Sequence, residues 1–319
     1  MRKIGICVDF MNYDYKKMID AEANSLGFIV DYCDSSVMEE HVGKYEVIYG
    51  NLLPTLLKKA KSLKWFCCVS AGVEKYISDE IWPSNDCLFT NSSGAFGPTI
   101  AEHITMVLLM LFRKMPEYAR DYSERVWKAH SPIRSIMGSR IIVINTGDIG
   151  SNTARRLKAL GAEIIGVNRG GISDEPAFDR VLPIAELDSV LPQADALILA
   201  LPATTETRGL LSRERIALLP ETAYVINVGR GSTIDQDALV DALKARRIAG
   251  AALDVMVPEP LPANHDLWSC PNTIITPHCS GSLSLKLTRD LEVKSFCDNL
   301  RRYAAGLPLE HIVNRKRGY

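Results

Sequence analysis

The sequence predicts an α/β protein built from two doubly wound parallel-sheet domains. Its 319 residues exceed what one hydrophobic core usually organises. Short β-rich runs alternate with helix-compatible segments along the chain, the pattern of parallel strands joined by crossover helices. Two such series are separated by a stretch of small residues around Asn91–Pro98. With 47% hydrophobic and 24% charged residues, the composition is that of ordinary globular domains, which excludes a disordered or repetitive chain.

The first series of strands is expected at Ile4–Val8, Phe28–Tyr32, Glu46–Tyr49, Trp65–Val69 and Cys87–Phe89. Gly94, Gly97 and Pro98 then form a hinge into an apolar helix over Thr99–Lys114. The second series is expected at Arg140–Asn145, Glu163–Val167, Ala196–Ala200, Ala223–Val228, Ala249–Leu253 and Thr273–Thr276. After a junction near Ser280–Ser284, an amphipathic segment from Leu285 to Tyr303 ends at Gly306 and Pro308, so the chain is expected to return to its first domain.

Several function classes fall away on charge and cysteine usage. A formal net charge of -1 lacks the electrostatic drive for nucleic acid or acidic membranes, and the cluster Arg315, Lys316 and Arg317 is expected to be a solvated end. The eight cysteines form no CxxC pair and show no His spacing for zinc, so no metal is expected, and small buried thiols suit a reducing, cytoplasmic setting. Met1-Arg2-Lys3 runs straight into a strand-like segment, so no signal peptide is expected. Ile104–Phe112 is too short to span a bilayer.

Ile141-Ile142-Val143-Ile144 opens into Asn145-Thr146-Gly147-Asp148-Ile149-Gly150 and then a helix through Leu160. A glycine turn between strand and helix lets the backbone approach a pyrophosphate, and the helix N-terminus offers free N–H groups and the positive end of a dipole. Asn145 stands where the first glycine of G-x-G-x-x-G belongs, and Asn is the residue after Gly that best tolerates a left-handed backbone. The next strand ends at Asn168-Arg169, where an NAD-selective site would carry an acid for the ribose 2′-hydroxyl. Asn168 removes the repelling carboxylate and Arg169 offers a guanidinium for a 2′-phosphate, so NADP(H) is favoured over NAD(H). Arg169 read instead as a surface cation stacked on adenine leaves that selectivity open.

Three further segments fall at strand ends, where ligands of doubly wound sheets bind: Asn227-Val228-Gly229-Arg230-Gly231, Ala252-Leu253-Asp254 through Glu259-Pro260, and Thr276-Pro277-His278-Cys279-Ser280-Gly281. With the glycine turn and Ala101-Glu102-His103, their order resembles the D-isomer-specific 2-hydroxyacid dehydrogenases. This family includes D-lactate and phosphoglycerate dehydrogenases and glyoxylate/hydroxypyruvate reductases. The resemblance covers nearly the whole chain and is strongest from about Asn91 to Gly281.

The resemblance implies two Rossmann-like domains with a cleft between them. Residues 1–96 plus 285–319 would form a discontinuous substrate domain, and 97–284 the nucleotide-binding domain. It implies hydride transfer between a nicotinamide cofactor and a small 2-keto or 2-hydroxy acid, D-specific. Arg230 would grip the substrate carboxylate and polarise the keto oxygen. His278 would exchange the proton, and Glu259 would orient the imidazole and favour its protonated form.

Further contacts follow by the same resemblance. Thr146, Gly147, Asp148, Ile149 and Gly150 would sit at the pyrophosphate, and Asn168 and Arg169 at the ribose. Leu201, Pro202 and Thr207 would line the adenosine side, Val228, Gly229 and Asp254 the nicotinamide, and Ser280 with Gly281 the neighbourhood of His278. Ala71, Gly72 and Val73, in the loop Ser70-Ala71-Gly72-Val73, would offer N–H groups to the substrate carboxylate. Glu102 and His103 are expected to anchor their helix, and Cys279 to be a packed thiol. Trp127-Lys128 lies where the family extends an arm to a partner, which implies a homodimer.

The loop Asn51-Leu52-Leu53-Pro54, expected at the substrate tail, carries amide and aliphatic groups but no cation for a phosphate. An unphosphorylated acid such as glyoxylate, hydroxypyruvate or an apolar-tailed analogue is therefore expected. A nucleotide-sensing scaffold or corepressor-like protein on the same fold is the alternative, against which the intact Arg230, Glu259 and His278 speak.

Overall fold

The structure, a computed structural model, describes residues 2–318. It contains two α/β units, each with one wholly parallel sheet. The first unit runs to Phe96 and resumes at Ser282; the second is Gly97–Gly281.

In the first unit the strands are β1 (Arg2–Cys7), β2 (Phe28–Tyr32), β3 (Val47–Gly50), β4 (Trp65–Cys67) and β5 (Leu88–Thr90), in the order β2-β1-β3-β4-β5. The helix Lys286–Ala304 belongs to this unit for a packing reason. Phe296 stacks on Tyr49 with ring centroids 4.2 Å apart and on Trp65 at 5.6 Å, so the late helix covers the apolar face of β3 and β4. Arg315 is no solvated end: its guanidinium lies 4.9 Å from the Trp82 ring and donates to the Asn85 carbonyl at 3.0 Å.

In the second unit the strands are β6 (Arg140–Ile144), β7 (Glu163–Asn168), β8 (Arg180–Pro183), β9 (Ala196–Leu199), β10 (Tyr224–Asn227), β11 (Gly250–Leu253) and β12 (Thr273–Ile275). Their order is β12-β11-β10-β9-β6-β7-β8, so the direction of winding reverses between β6 and β9, where ligands of such sheets bind. Ile141–Ile144 and all of β9, β10 and β11 are buried, as expected where helices cover both faces and strands become continuous apolar runs. The edge strand β8 was not among the expected elements. Arg-Val-Leu-Pro is short, partly exposed and closed by a proline, so it lacks the buried run that marked the others.

The apolar helix forms at Gly97–Phe112. Among the described residues no helix is long and apolar enough to cross a membrane, and no group of three or more His, Cys, Asp or Glu could hold a metal. All eight cysteines are free, with Cys67, Cys68, Cys87, Cys270 and Cys297 buried.

Candidate active site

The turn after β6 is shaped by Asn145, whose φ of 86° is the left-handed conformation that its residue type tolerates. Its side chain fastens the switch point: Nδ2 donates to the Ala200 carbonyl at 2.7 Å, beyond the end of β9, while Oδ1 accepts from the Gly147 amide at 3.1 Å. A Cβ on Gly150 would strike the Asn145 carbonyl, so only glycine lets the helix Asp148–Ala159 begin this close to the strand. That helix starts at Gly147 without a side-chain cap, which leaves first-turn N–H groups for an anion. The turn therefore fits a dinucleotide pyrophosphate.

Asp148 is at this turn, but its carboxylate points to other work. Oδ2 accepts from the Gly97 amide at 2.9 Å and Oδ1 from Asn152 Nδ2 at 3.0 Å. The charge is thereby spent at the start of the Gly97–Phe112 helix. Asn168 is likewise structural: its Nδ2 donates to Thr146 Oγ1 and to the Ile172 carbonyl, both at 2.7 Å, and its Oδ1 accepts from the amides of Gly170 and Gly171. Arg169 is exposed on the turn so formed. The Glu206 carboxyl is held below its usual range by its own backbone amide, then by Thr204, with Arg169 contributing as a nearby charge. Leu201, Pro202 and Thr207 lie on the loop after β9, where the Thr207 hydroxyl donates to the Pro202 carbonyl at 2.7 Å.

At the end of β10, Asn227 organises the next loop. Its Oδ1 accepts from the Gly229 amide at 3.1 Å and its Nδ2 donates to the Arg230 carbonyl at 3.0 Å. Arg230 Nη1 donates to the Gly229 carbonyl at 2.7 Å, and Val228 is buried beside them. A Cβ on Gly229 would meet the backbone of Leu201, so this glycine lets the loops after β9 and β10 lie against each other.

Asp254 governs the segment after β12. Its Oδ1 accepts from the Thr276 hydroxyl at 2.6 Å and the Cys279 amide at 2.9 Å, and its Oδ2 from the Ser280 amide at 3.0 Å. Burial pushes this carboxyl up, but the hydrogen bonds of Ser280, Thr276 and Cys279 outweigh it and hold the group below the usual range. The His278 amide donates to the Asp254 carbonyl at 2.9 Å, so this acid sets the backbone that carries the histidine. The family resemblance marked Asp254 in the sequence as a neighbour of the nicotinamide; the role as the hub of residues 276–280 had no sequence signal.

His278 has a φ of 51°, and its Nδ1 lies 2.7 Å from Glu259 Oε2. Glu259 Oε1 accepts from the Met256 amide at 3.0 Å, so the carboxylate is fixed at both ends. With Nδ1 engaged, Nε2 is the nitrogen that can exchange a proton with a ligand. Cys279 is exposed and not a packed thiol, because Asp254 draws its amide inward and leaves the side chain outside; desolvation and then the Asp254 charge push the thiol up, which makes it a poor nucleophile. His103 is half-buried, and burial lowers its pKa against the opposing charge of Asp254. Glu102 lies 3.9 Å from Arg156 across neighbouring helices.

In the first unit, the three carbonyls of Ser70–Gly72 are tied back. Asn91 Nδ2 donates to the Ala71 carbonyl at 2.9 Å, the Ser92 amide to the Ser70 carbonyl at 3.2 Å, and the Ser70 hydroxyl to the Gly72 carbonyl at 2.8 Å. Among the described residues the amides of Ala71, Gly72 and Val73 have no protein acceptor.

Residues 105–280 match the family model described as "D-isomer specific 2-hydroxyacid dehydrogenase, NAD binding domain". The chain is 30% identical over 225 residues to the glyoxylate reductase/hydroxypyruvate reductase of Homo sapiens, covering 69% of this chain and 68% of that protein. It is 28% identical over 281 residues to a D-3-phosphoglycerate dehydrogenase of Archaeoglobus fulgidus, covering 86% of this chain but spanning only 52% of that longer protein. A crystal structure of a D-isomer specific 2-hydroxyacid dehydrogenase from Xanthobacter autotrophicus Py2, in complex with NADPH and MES, superposes with a TM-score of 0.85. It is 27% identical and the match covers 100% of this chain and 99% of that one.

Proposed function

The chain belongs to the D-isomer-specific 2-hydroxyacid dehydrogenase family, a family of NAD(P)-dependent oxidoreductases, and on that premise we propose that it reduces a small, unphosphorylated 2-keto acid to the D-2-hydroxy acid, with NADPH as the preferred donor. The observation that carries the reading is the His278–Glu259 pair at 2.7 Å, set at a strand end by the buried Asp254.

When bound, the nicotinamide supplies the hydride that goes to C2 of the acid. His278 Nε2 gives a proton to the keto oxygen, and Glu259 keeps the ring turned for that transfer. Arg230 binds the carboxylate and the keto oxygen, drawing electron density from C2 and stabilising the developing alkoxide. By the family resemblance, the amides of Ala71, Gly72 and Val73 would offer N–H groups to the substrate carboxylate.

Support for NADPH comes from Arg169 on a turn that Asn168 builds without a carboxylate of its own, and from the NADPH held by the Xanthobacter relative. The unphosphorylated substrate rests on Asn51–Pro54, which has no cation; Lys75, after the Ser70–Val73 loop, stands over the Tyr76 ring at 4.8 Å. A homodimer is supported by the exposed Trp127, Val126 and Ile133, and by an apolar groove along the Gly97–Phe112 helix that includes Met106, Leu109 and Met110. The free cysteines suit a reducing, cytoplasmic setting.

Absorbance at the nicotinamide band during incubation with glyoxylate, hydroxypyruvate and larger 2-keto acids tests the reading. His278→Ala and Arg230→Ala should each lower turnover by about 10³-fold. Equal rates in the wild type and both variants would overturn it.

A further inference from the structure

Beneath the Ser70–Val73 loop lies a carboxyl group for which the proposed chemistry has no use. Glu292, on the helix Lys286–Ala304, is 3% exposed. The groups around it are the Tyr49 phenol on β3, the Cys67 thiol on β4, the Cys68 thiol just after β4, and the Ser92 hydroxyl after β5. Among the described residues no cation contributes to its surroundings. A carboxylate taken out of water without a cation is costly, so burial alone favours the neutral acid.

Counting protons leads to the same state. Ser92 Oγ lies 2.6 Å from Glu292 Oε1 and 3.0 Å from the Cys68 carbonyl oxygen. The hydroxyl has one proton, and a carbonyl can only accept. Both contacts are hydrogen bonds only if Ser92 donates to Cys68 while Glu292 donates to Ser92. An ionised Glu292 would draw the Ser92 proton to itself and leave the Cys68 carbonyl without that donor.

We propose that Glu292 is a positioning residue, held as a neutral carboxylic acid that fixes the Ser70–Val73 loop through Ser92, and that loss of its proton loosens the loop. Cys68 lies two residues before Ser70, where the chain leads into the Ser70–Val73 segment, and the Ser92 amide already holds the Ser70 carbonyl. One serine therefore clamps two carbonyls at the start of the loop, and the acid decides whether both clamps close. Burial raises the Glu292 pKa to about 7, so the change falls within the working range of pH. The phenol of Tyr49 and both thiols are pushed above their ordinary values by burial and stay neutral there.

The effect on substrate binding rests on the reading of Ala71–Val73 as the carboxylate-binding loop; the clamp itself does not. Infrared difference spectra of wild type minus Glu292→Gln should show a protonated-carboxyl C=O band at pH 6 that fades by pH 9. Hydrogen exchange at the Ala71, Gly72 and Val73 amides, taken as the ratio of wild type to Glu292→Gln at each pH, should rise over the same interval. The ratio cancels the intrinsic pH dependence, since Gln keeps a donor for Ser92 at every pH. The wild-type KM for glyoxylate should climb by about fivefold, the equivalent of one lost hydrogen bond, while that of the variant stays flat.

Absence of the band, or an exchange ratio independent of pH, overturns the proposal. A band and an exchange change with a flat KM uphold the clamp and overturn the assignment of this loop to the substrate.

Discussion

Glu259 Oε2 stands 2.7 Å from His278 Nδ1 while Oε1 of the same carboxylate accepts from the Met256 amide at 3.0 Å. The pair thus orients a histidine whose backbone is separately fixed by Asp254. Glu259→Gln keeps the volume and the Met256 contact but loses the charge. We expect kcat for keto-acid reduction to fall about 10²-fold with little change in KM, and Glu259→Asp to recover part of it. Steady-state kinetics on both variants checks this; a KM effect alone would show that Glu259 serves binding.

Cofactor preference should reside at Arg169. Arg169→Ala removes the only side chain of Asn168–Gly171 that could pair with a 2′-phosphate. kcat/KM for NADPH is expected to drop about 10–100-fold, as for a lost charge-assisted pair, with the value for NADH within about twofold of wild type. Equal losses with both cofactors would assign Arg169 to the adenine.

Asp254 links stability to pH in the acid range. Its carboxyl is held below the usual range in the folded state, so its ionised form contributes stability above the ordinary carboxylate pKa. That contribution is lost as pH falls through the depressed folded value. Asp254→Asn replaces an acceptor of Thr276, Cys279 and Ser280 with a group that must turn an NH₂ toward some of these donors. A loss of about 2–3 kcal/mol at pH 7 that shrinks toward pH 3 is expected in urea melts. A pH-independent difference would show that the carboxylate's charge is not what matters.

Trp127 is fully exposed on the segment that follows the Met115–Glu124 helix, a large apolar surface for an isolated chain to leave in water. Light scattering should give twice the chain mass of 35.3 kDa for the wild type and a shift toward that mass for Trp127→Asp. A wild-type monomer at high concentration would overturn the dimer.

Much of this molecule is legible in its residues. The strands of the second sheet stand out because helices on both faces turn them into unbroken apolar runs such as Ile141–Ile144, and β8 escapes notice because its Arg, Pro and partial exposure break that pattern. Arg230, Glu259 and His278 are recognisable through their order at strand ends, which chain topology alone imposes. The left-handed turn at Asn145 was likewise implied by its residue type.

Partnership was decided only by the tertiary structure. Asp148 reaches back to Gly97, Asp254 gathers residues 22–26 positions later, Asn168 closes a local turn, and Glu292 meets Ser92 across 200 residues. Apart from the local Asn168 turn, each is a choice among polar groups that satisfy one another only when segments distant in sequence are brought together. Composition and periodicity report which surfaces are apolar, whereas a hydrogen bond depends on the placement of single atoms. The sequence by itself therefore determined the sheets and the order of Arg230, Glu259 and His278 along the chain. Folding alone settled which carboxylates hold the backbone.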